Sequence, residues 1–156
     1  MSVHNITWSA TASALGSKEL IEKSLRWLTG DAAEISHEKV KSYHGAKMMI
    51  IHARVQKKKS AKNSLPYMGS ELLEKLADSE QLKLRIDEDN VLHIRLSLPS
   101  LVSGCIVISE RLEEQVKGRI KLEVYPGQDV LENAKSMLNK AAKFASENGI
   151  TPKKCS

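Results

Sequence analysis

The sequence contains little cysteine and no long apolar run, and both shortages narrow the class of protein. Its two cysteines, Cys105 in an apolar run and Cys155 next to the last residue, do not make the disulfide framework of a small secreted domain. We therefore interpret both as free thiols in a reducing compartment. No window approaches the roughly eighteen apolar residues of a membrane span, and the N-terminus lacks the basic-then-apolar order of a signal peptide. These absences predict a cytoplasmic protein without a membrane partner.

The sequence also lacks the motifs of nucleotide-dependent and metal-dependent enzymes. The eight glycines fall singly, so there is neither GxGxxG nor GxxxxGK[ST] to hold phosphates, and the histidines stand apart without metal-ligand spacing. We predict no cofactor, no metal and no catalytic residue. A thiol enzyme that pairs Cys105 with His93 across adjacent strands is one alternative. A buried, inert thiol is the better interpretation because the neighbours of Cys105 are apolar.

The composition is that of an ordinary folded domain. Apolar residues make up 41% of the 156-residue chain and charged residues 28%, which does not favour disorder. We expect one α+β domain over residues 1–150 and a frayed tail over 151–156. Its mostly antiparallel sheet would be packed by about three helices, in the order strand, helix, hairpin, helix or helices, strands, helix.

Alternation and helical spacing place the first half of these elements. Residues 4 to 14 alternate as a strand, a helix then ends at Gly30, and two runs flank a hairpin turn at His44-Gly45. Residues 60 to 83 predict one helix, or two short ones interrupted near Pro66 and Gly69.

The second half is predicted in the same way. Leu92 to Leu98 alternate as a strand, GCIVIS predicts a second short one, and the chain turns near Lys117-Gly118 before a third, RIKLEVYPG. Asp129 with Glu132 three residues later predicts the capped start of a long terminal helix.

Acidic residues are absent from one long stretch. From Lys39 through Gly69 there are eight basic residues and no acidic one, whereas the rest of the chain has sixteen basic and nineteen acidic residues. Charge of one sign in one region is usually relieved by a partner of the other sign, most often phosphate. The alternative is a solvated lysine face that aids solubility.

The predicted hairpin arranges part of this charge. A two-residue turn at His44-Gly45 pairs Val40 with Met49 and Lys39 with Ile50, which puts Val40 and Met49 on the core face. The opposite face then carries Lys39, Lys41, Tyr43, His52 and Arg54, with Met48 and Ile50 among them, and leads into the basic loop Lys57, Lys58, Lys59 and Lys62. Such a face can hold phosphates and stack a base, unless a helix covers it.

The order of the elements and the segments SYHGAKMMIIHARV, VLHIRLSLPSLVSGCIVIS and RIKLEVYP resemble the archaeal family of exosome-type RNA-binding proteins, or predicted exosome subunits. The resemblance covers nearly the whole chain and implies a fold like that of the ribosomal large-subunit protein that binds 5S ribosomal RNA. His44-Gly45 matches the family's histidine-glycine turn, and Arg95 matches its strand arginine. Ala46 replaces a common asparagine, and Ser97-Leu98 replaces an aspartate-lysine pair.

Two functions follow as hypotheses. The first is a non-catalytic RNA-binding protein of low sequence specificity, accessory to RNA processing, and its predicted RNA-binding residues are Lys39, Lys41, Tyr43, His44, Lys47, Arg54, Lys57, Lys58, Lys59 and Lys62. The second is an assembly subunit of a larger complex, in which the lysines contact an acidic partner protein and Met48 and Ile50 anchor the contact.

Overall fold

A computed structural model describes residues 2–13, 18–41, 47–109 and 114–152. In chain order, the strands are β1 (Ser2–Ser13), β2 (Glu34–Lys41), β3 (Lys47–Val55), β4 (Val91–Ser97) and β5 (Gln115–Glu123), and the helices are α1 (Lys18–Leu28), α2 (Lys58–Ser64), α3 (Ser70–Asp78), α4 (Leu98–Val102) and α5 (Val130–Glu147). Two single turns of 3₁₀ helix, Leu65–Met68 and Leu82–Arg85, follow α2 and α3.

The five strands form one antiparallel sheet in the order β2-β3-β1-β5-β4, with β1 at its centre. Alternate residues of β1, among them Ile6, Trp8 and Ala10, are buried in a single core together with the apolar stripes of the helices. The residues between them, such as Thr7 and Ser9, lie on the opposite side and are not part of that core. The predicted α+β class with an antiparallel sheet is therefore confirmed.

Gly118 lies in the middle of β5, where the sequence predicted a turn, and that prediction was wrong. The strand runs unbroken through this residue, which pairs with Trp8 of β1. A Cβ atom at position 118 would stand 2.3 Å from Cζ3 of the Trp8 side chain. The glycine is present because the buried indole occupies the space that a side chain would need.

The hairpin of β2 and β3 is confirmed, but its predicted register is wrong by one residue. Lys41 pairs with Lys47, Val40 with Met48 and Lys39 with Met49. Because neighbouring residues of a strand point to opposite sides, this shift moves every side chain of β2 to the other face relative to β3. The connecting residues 42–46, which include the predicted His44-Gly45 turn, lie outside the described residues.

The segment after the hairpin forms two short helices, α2 and α3, with a break between them near Pro66 and Gly69. This is the second of the two predicted arrangements. The predicted basic loop is instead the short helix α2, with Lys57 at its N-cap position. The chain then passes through Leu65–Met68 and turns at Gly69, whose φ of 87° lies in the region that glycine tolerates. Pro66 is the second residue of that 3₁₀ turn, a position where its missing N–H is not needed.

Three further sequence predictions concern the segment after β4 and the start of α5. GCIVIS forms no strand and contributes one isolated bridge, between Ile108 and Leu96. Cys105 is buried but disulfide-bonded, so its interpretation as a free thiol was wrong. At the start of α5, the Asp129 side chain accepts a hydrogen bond from the N–H of Leu131 at 3.1 Å, which confirms the predicted cap.

None of the helices described here is both long and apolar enough to cross a membrane.

Candidate nucleic-acid interface

The structure distributes the predicted RNA-binding residues over different surfaces. Arg54 of β3 is exposed on the side of the sheet that the helices leave uncovered. Lys39 and Lys41 belong to the opposite side, since Lys39 pairs with Met49 and His37 of the same face contacts Glu22 of α1. Contrary to the predicted hairpin, Lys39 and Lys41 therefore do not share a face with Arg54. Tyr43, His44 and the side chain of Lys47 lie outside the described part of the chain.

The four predicted lysines near α2 are all exposed, but their electrostatic environments differ. Lys58 Nζ lies 2.6 Å from Oε2 of Glu123, a carboxylate that is only 8% exposed at the end of β5. This hydrogen bond, aided by the negative charge, raises the pKa of Lys58. The Tyr125 hydroxyl donates to the same carboxylate, which raises the pKa of Tyr125. Lys58 is thus already paired with an anion within the protein.

Cations from three strands meet on the uncovered side of the sheet, which we call the open face. Register places Glu34, Arg54, Thr7, Arg119 and His93 in one row across β2, β3, β1, β5 and β4. Since adjacent strands lie about 4.8 Å apart, Arg54 and Arg119 flank Thr7 with their backbones about 10 Å from each other. Short hydroxyl side chains of β1 thus form the floor between the two guanidinium groups.

The neighbouring row places two cations directly opposite each other. It runs from Ser36 through His52, Ser9 and Lys117 to Arg95. Directly opposed like charges on one face destabilise a sheet by about 0.2–1 kcal/mol. Within the described residues, neither Lys117 nor Arg95 has a carboxylate within ion-pair distance. An anion bound between them would relieve this repulsion.

The acidic residues of the open face lie toward its edges. His52 links the centre to one edge, since its Nδ1 lies 2.7 Å from Ser9 Oγ and its Nε2 lies 3.0 Å from Glu38 Oε2. At the other edge, His93 Nε2 lies 2.7 Å from Asp87 Oδ2, and this hydrogen bond lowers the pKa of Asp87. Arg54 donates a hydrogen bond to Ser36 Oγ at 3.2 Å and lies opposite Glu34 of the edge strand β2. Among the described residues, no carboxylate lies within ion-pair distance of Lys117, Arg119 or Arg95, so these cations stay available to a ligand.

Sequence reasoning missed most of the cations on the open face. Arg119 and Arg95 belong to strands that the sequence did predict, and the alternation there already placed Arg119 on the outward side, whereas Lys117 was predicted to lie in a turn. What was not available was the order of the strands, which brings β5 and β4 beside β1 and β3. The absence of acidic residues drew attention to the hairpin, whereas the cationic surface combines the hairpin with distant strands.

The geometry does not describe a metal site. Over residues 2–13, 18–41, 47–109 and 114–152, no three histidine, cysteine, aspartate or glutamate side chains are grouped so that they could hold a metal ion.

A two-layer α+β domain with arginine and lysine on an uncovered sheet face is the class of protein suited to binding a polyanion.

Comparison with known families identifies the chain more closely. The model of a family described as RNA binding matches residues 5–124. The chain belongs to this RNA-binding family. The match covers all five strands except the first residues of β1, so it includes the whole open face described above. No curated protein matches the sequence at a significant level.

Solved structures of similar fold come from several archaea. A DUF54 protein from Archaeglobus fulgidus has 24% sequence identity and a TM-score of 0.72, over 86% of this chain and 99% of that one. A DUF54 protein from Methanothermobacter thermautotrophicus has 21% identity and a TM-score of 0.70, over 91% and 99% of the two chains. A UPF0201 protein from Methanococcus jannaschii has 10% identity and a TM-score of 0.60, over 86% and 98%. At these identities, the likeness supports the fold alone.

Proposed function

We propose that the protein is a non-catalytic RNA-binding protein that holds the phosphate backbone of RNA on the open face of its sheet. The observation that carries the proposal is the row pattern of Arg54, Arg119, Lys117 and Arg95, in which two cations oppose each other without a carboxylate partner among the described residues. The backbone of RNA supplies anions at regular spacing along one strand, which suits cations fixed by strand register.

The binding mode follows from the side chains of the open face. Phosphate contacts fix the position of an RNA strand but read little of its sequence. We therefore expect modest affinity, low sequence specificity and steep salt dependence. Lys57, Lys59 and Lys62 of the α2 region would add contacts at the helical side of the molecule, and Lys58 would add less because of its Glu123 partner.

A role accessory to RNA processing, in the cytoplasm and within a larger complex, fits such a module. The protein would keep RNA in place while another subunit performs the chemistry. This part of the proposal depends on the family and on the resemblance to exosome-type proteins.

The experiment compares two variants of equal charge change. One removes three open-face cations together (Arg54→Ala, Lys117→Ala, Arg119→Ala). The control removes three exposed lysines from α1 and α3 (Lys18→Ala, Lys23→Ala, Lys75→Ala). Binding to a short single-stranded RNA is measured by fluorescence anisotropy at several salt concentrations.

The open-face variant should bind RNA more weakly. The plot of log K against log salt concentration has a negative slope, and its magnitude should fall by about 2, because three phosphate contacts are lost and each contact to a single strand contributes about 0.7. The control should retain the wild-type slope. Equal slopes for wild type and the open-face variant would contradict the proposal.

One observation favours a second candidate function, that of an assembly subunit. Val40, Met48 and Ile50 are half-buried on the open face at the hairpin end, and none of the helices that the structure describes lies on this face. Such a patch can anchor a partner protein. This function predicts co-purification with a larger complex and negligible RNA binding by the isolated protein. Recovery of only the free protein from native extracts would count against it.

A further inference from the structure

A pocket on the helical side of the molecule lies apart from the open face. It has a volume of about 150 Å³ and lies between α5 and the segment formed by α2 and the 3₁₀ turn that follows. Its walls include Val3 of β1, Leu65, Pro66 and Met137. Phe144 completes the wall and is 50% exposed, although it is the chain's single phenylalanine and a ring of this size usually packs inside.

The rim of the pocket is polar and positively charged. Lys62 and Asn63 of α2 stand on one side, and Lys140 of α5 stands on the other. Lys59 shares the helix face of Lys62 and Asn63, since residues three and four apart are neighbours on a helix. Within the part of the chain that the structure describes, no acidic residue lines the pocket and no ion pair involves Lys62 or Lys140.

We infer that this pocket receives one unpaired base of the bound RNA, an inference that rests on the proposed RNA-binding function. An exposed aromatic ring offers a stacking surface, as in proteins that bind single-stranded RNA. The amide of Asn63 offers both a donor and an acceptor to the edge of a base. The ammonium groups of Lys62 and Lys140 lie where the phosphates on either side of that base would need charge.

The chemistry of the pocket favours a base over an acidic peptide. A side chain of an acidic peptide would contact the apolar walls and the lysines, but it would not stack on the half-exposed ring of Phe144 or pair with the amide of Asn63. The pocket is about as large as the engineered apolar cavities that bind benzene, so it fits one ring system rather than a helix or strand. It also gives the α2 lysines a role that the open face does not provide.

The experiment uses short single-stranded RNAs of equal length that contain 2-aminopurine at one central position or are abasic there. Fluorescence of 2-aminopurine reports stacking, and competition measures the affinity of each RNA. The test variant is Phe144→Leu, which keeps an apolar wall but removes the ring. The matched control is Trp27→Leu, because Trp27 is an aromatic residue of similar exposure, 38%, on α1, where its neighbours carry charges of both signs.

The wild-type protein should bind the RNA with the base about tenfold more tightly than the abasic RNA, because base–aromatic stacking contributes of that order. Phe144→Leu should remove this difference and the change in 2-aminopurine fluorescence, while its affinity for abasic RNA stays unchanged. Trp27→Leu should behave like wild type. Salt-sensitive RNA binding with no effect of Phe144→Leu would overturn the pocket inference alone. No RNA binding by the wild-type protein would overturn the proposed function as well.

Discussion

Replacement of Gly118 by alanine should destabilise the fold, although glycine is usually a poor residue for a strand. The backbone of Gly118 leaves room for the benzene ring of the Trp8 indole, and a Cβ atom would lie 2.3 Å from Cζ3, 2.7 Å from Cε3 and 2.8 Å from Cη2. Favourable contacts between carbon atoms lie at about 3.5–4.0 Å. The ring would therefore have to move by more than about 1 Å.

The expected cost is the difference between two effects. Overpacking of a well-packed core typically costs about 1–3 kcal/mol. The exchange of glycine for alanine in a strand recovers about 0.5–1 kcal/mol. Because Trp8 is only 2% exposed and lies on the central strand, we expect the first effect to dominate. The free energy of unfolding should fall by about 1–2 kcal/mol.

Urea denaturation followed by far-ultraviolet circular dichroism measures this change. Gly118→Ala should lower the midpoint without changing the slope. The same substitution in a Trp8→Phe background should cost less, because the smaller ring leaves space, and the difference gives the coupling energy between the two positions. Lys117→Ala, on the other side of the same strand, is the control and should not destabilise the fold, because it removes the like charge opposite Arg95. A neutral Gly118→Ala, or an equal cost in both backgrounds, would refute the argument.

Two further predictions concern the ion pairs at the surface. Lys58→Ala should weaken RNA binding less than Lys59→Ala, because Lys58 is paired with Glu123; an equal loss in anisotropy titrations would show that this pair opens when RNA binds. The pKa of Asp87 is lowered in the folded state, mainly by its hydrogen bond from a histidine side chain. It should therefore stabilise the fold fully above the ordinary aspartate value of 3.8, and that stabilisation should be lost as the pH falls through the lower folded value. Acid titrations of Asp87→Asn should then show a shallower loss of stability than wild type in this range, and parallel curves would contradict the assignment.

The overall fold was predictable because its signals are local. Alternation along β1 and β4, the stop at Gly30 and the cap at Asp129 each arise from a few neighbouring residues. Gly30 has a φ of 61°, which is the conformation expected of a glycine that ends a helix. Such signals depend little on the rest of the chain.

The errors came from information that no single segment contains. Gly118 was predicted to lie in a turn because the reason for a glycine there is not local. The Trp8 ring, which packs against its backbone, is more than a hundred positions away in the sequence. The hairpin register depended on the length of the turn, and a change of one residue moved Lys39 and Lys41 to the other face. The alternation of the hairpin fits either register, so periodicity alone could not choose between them.

The candidate site was predicted in kind but not in place. The stretch without acidic residues includes Arg54, which lies on the open face, and the family is described as RNA binding. The remaining cations of the open face come from β4 and β5, whose charges look balanced in the sequence because Glu123 and Asp87 are nearby. In the structure, these two carboxylates are occupied by Lys58 and His93.

The central claim is that RNA lies on the open face. Each arginine side chain gives its own NMR signal, so contact with RNA can be detected residue by residue. Nitrogen–hydrogen correlation spectra of the arginine Nε groups, recorded during titration with a short single-stranded RNA, would follow each guanidinium. If RNA lies there, the signals of Arg54, Arg95 and Arg119 should shift in a saturable way, while that of Arg26 on α1 should stay in place. Saturable binding that moves Arg26 and leaves the three open-face arginines unchanged would contradict the claim.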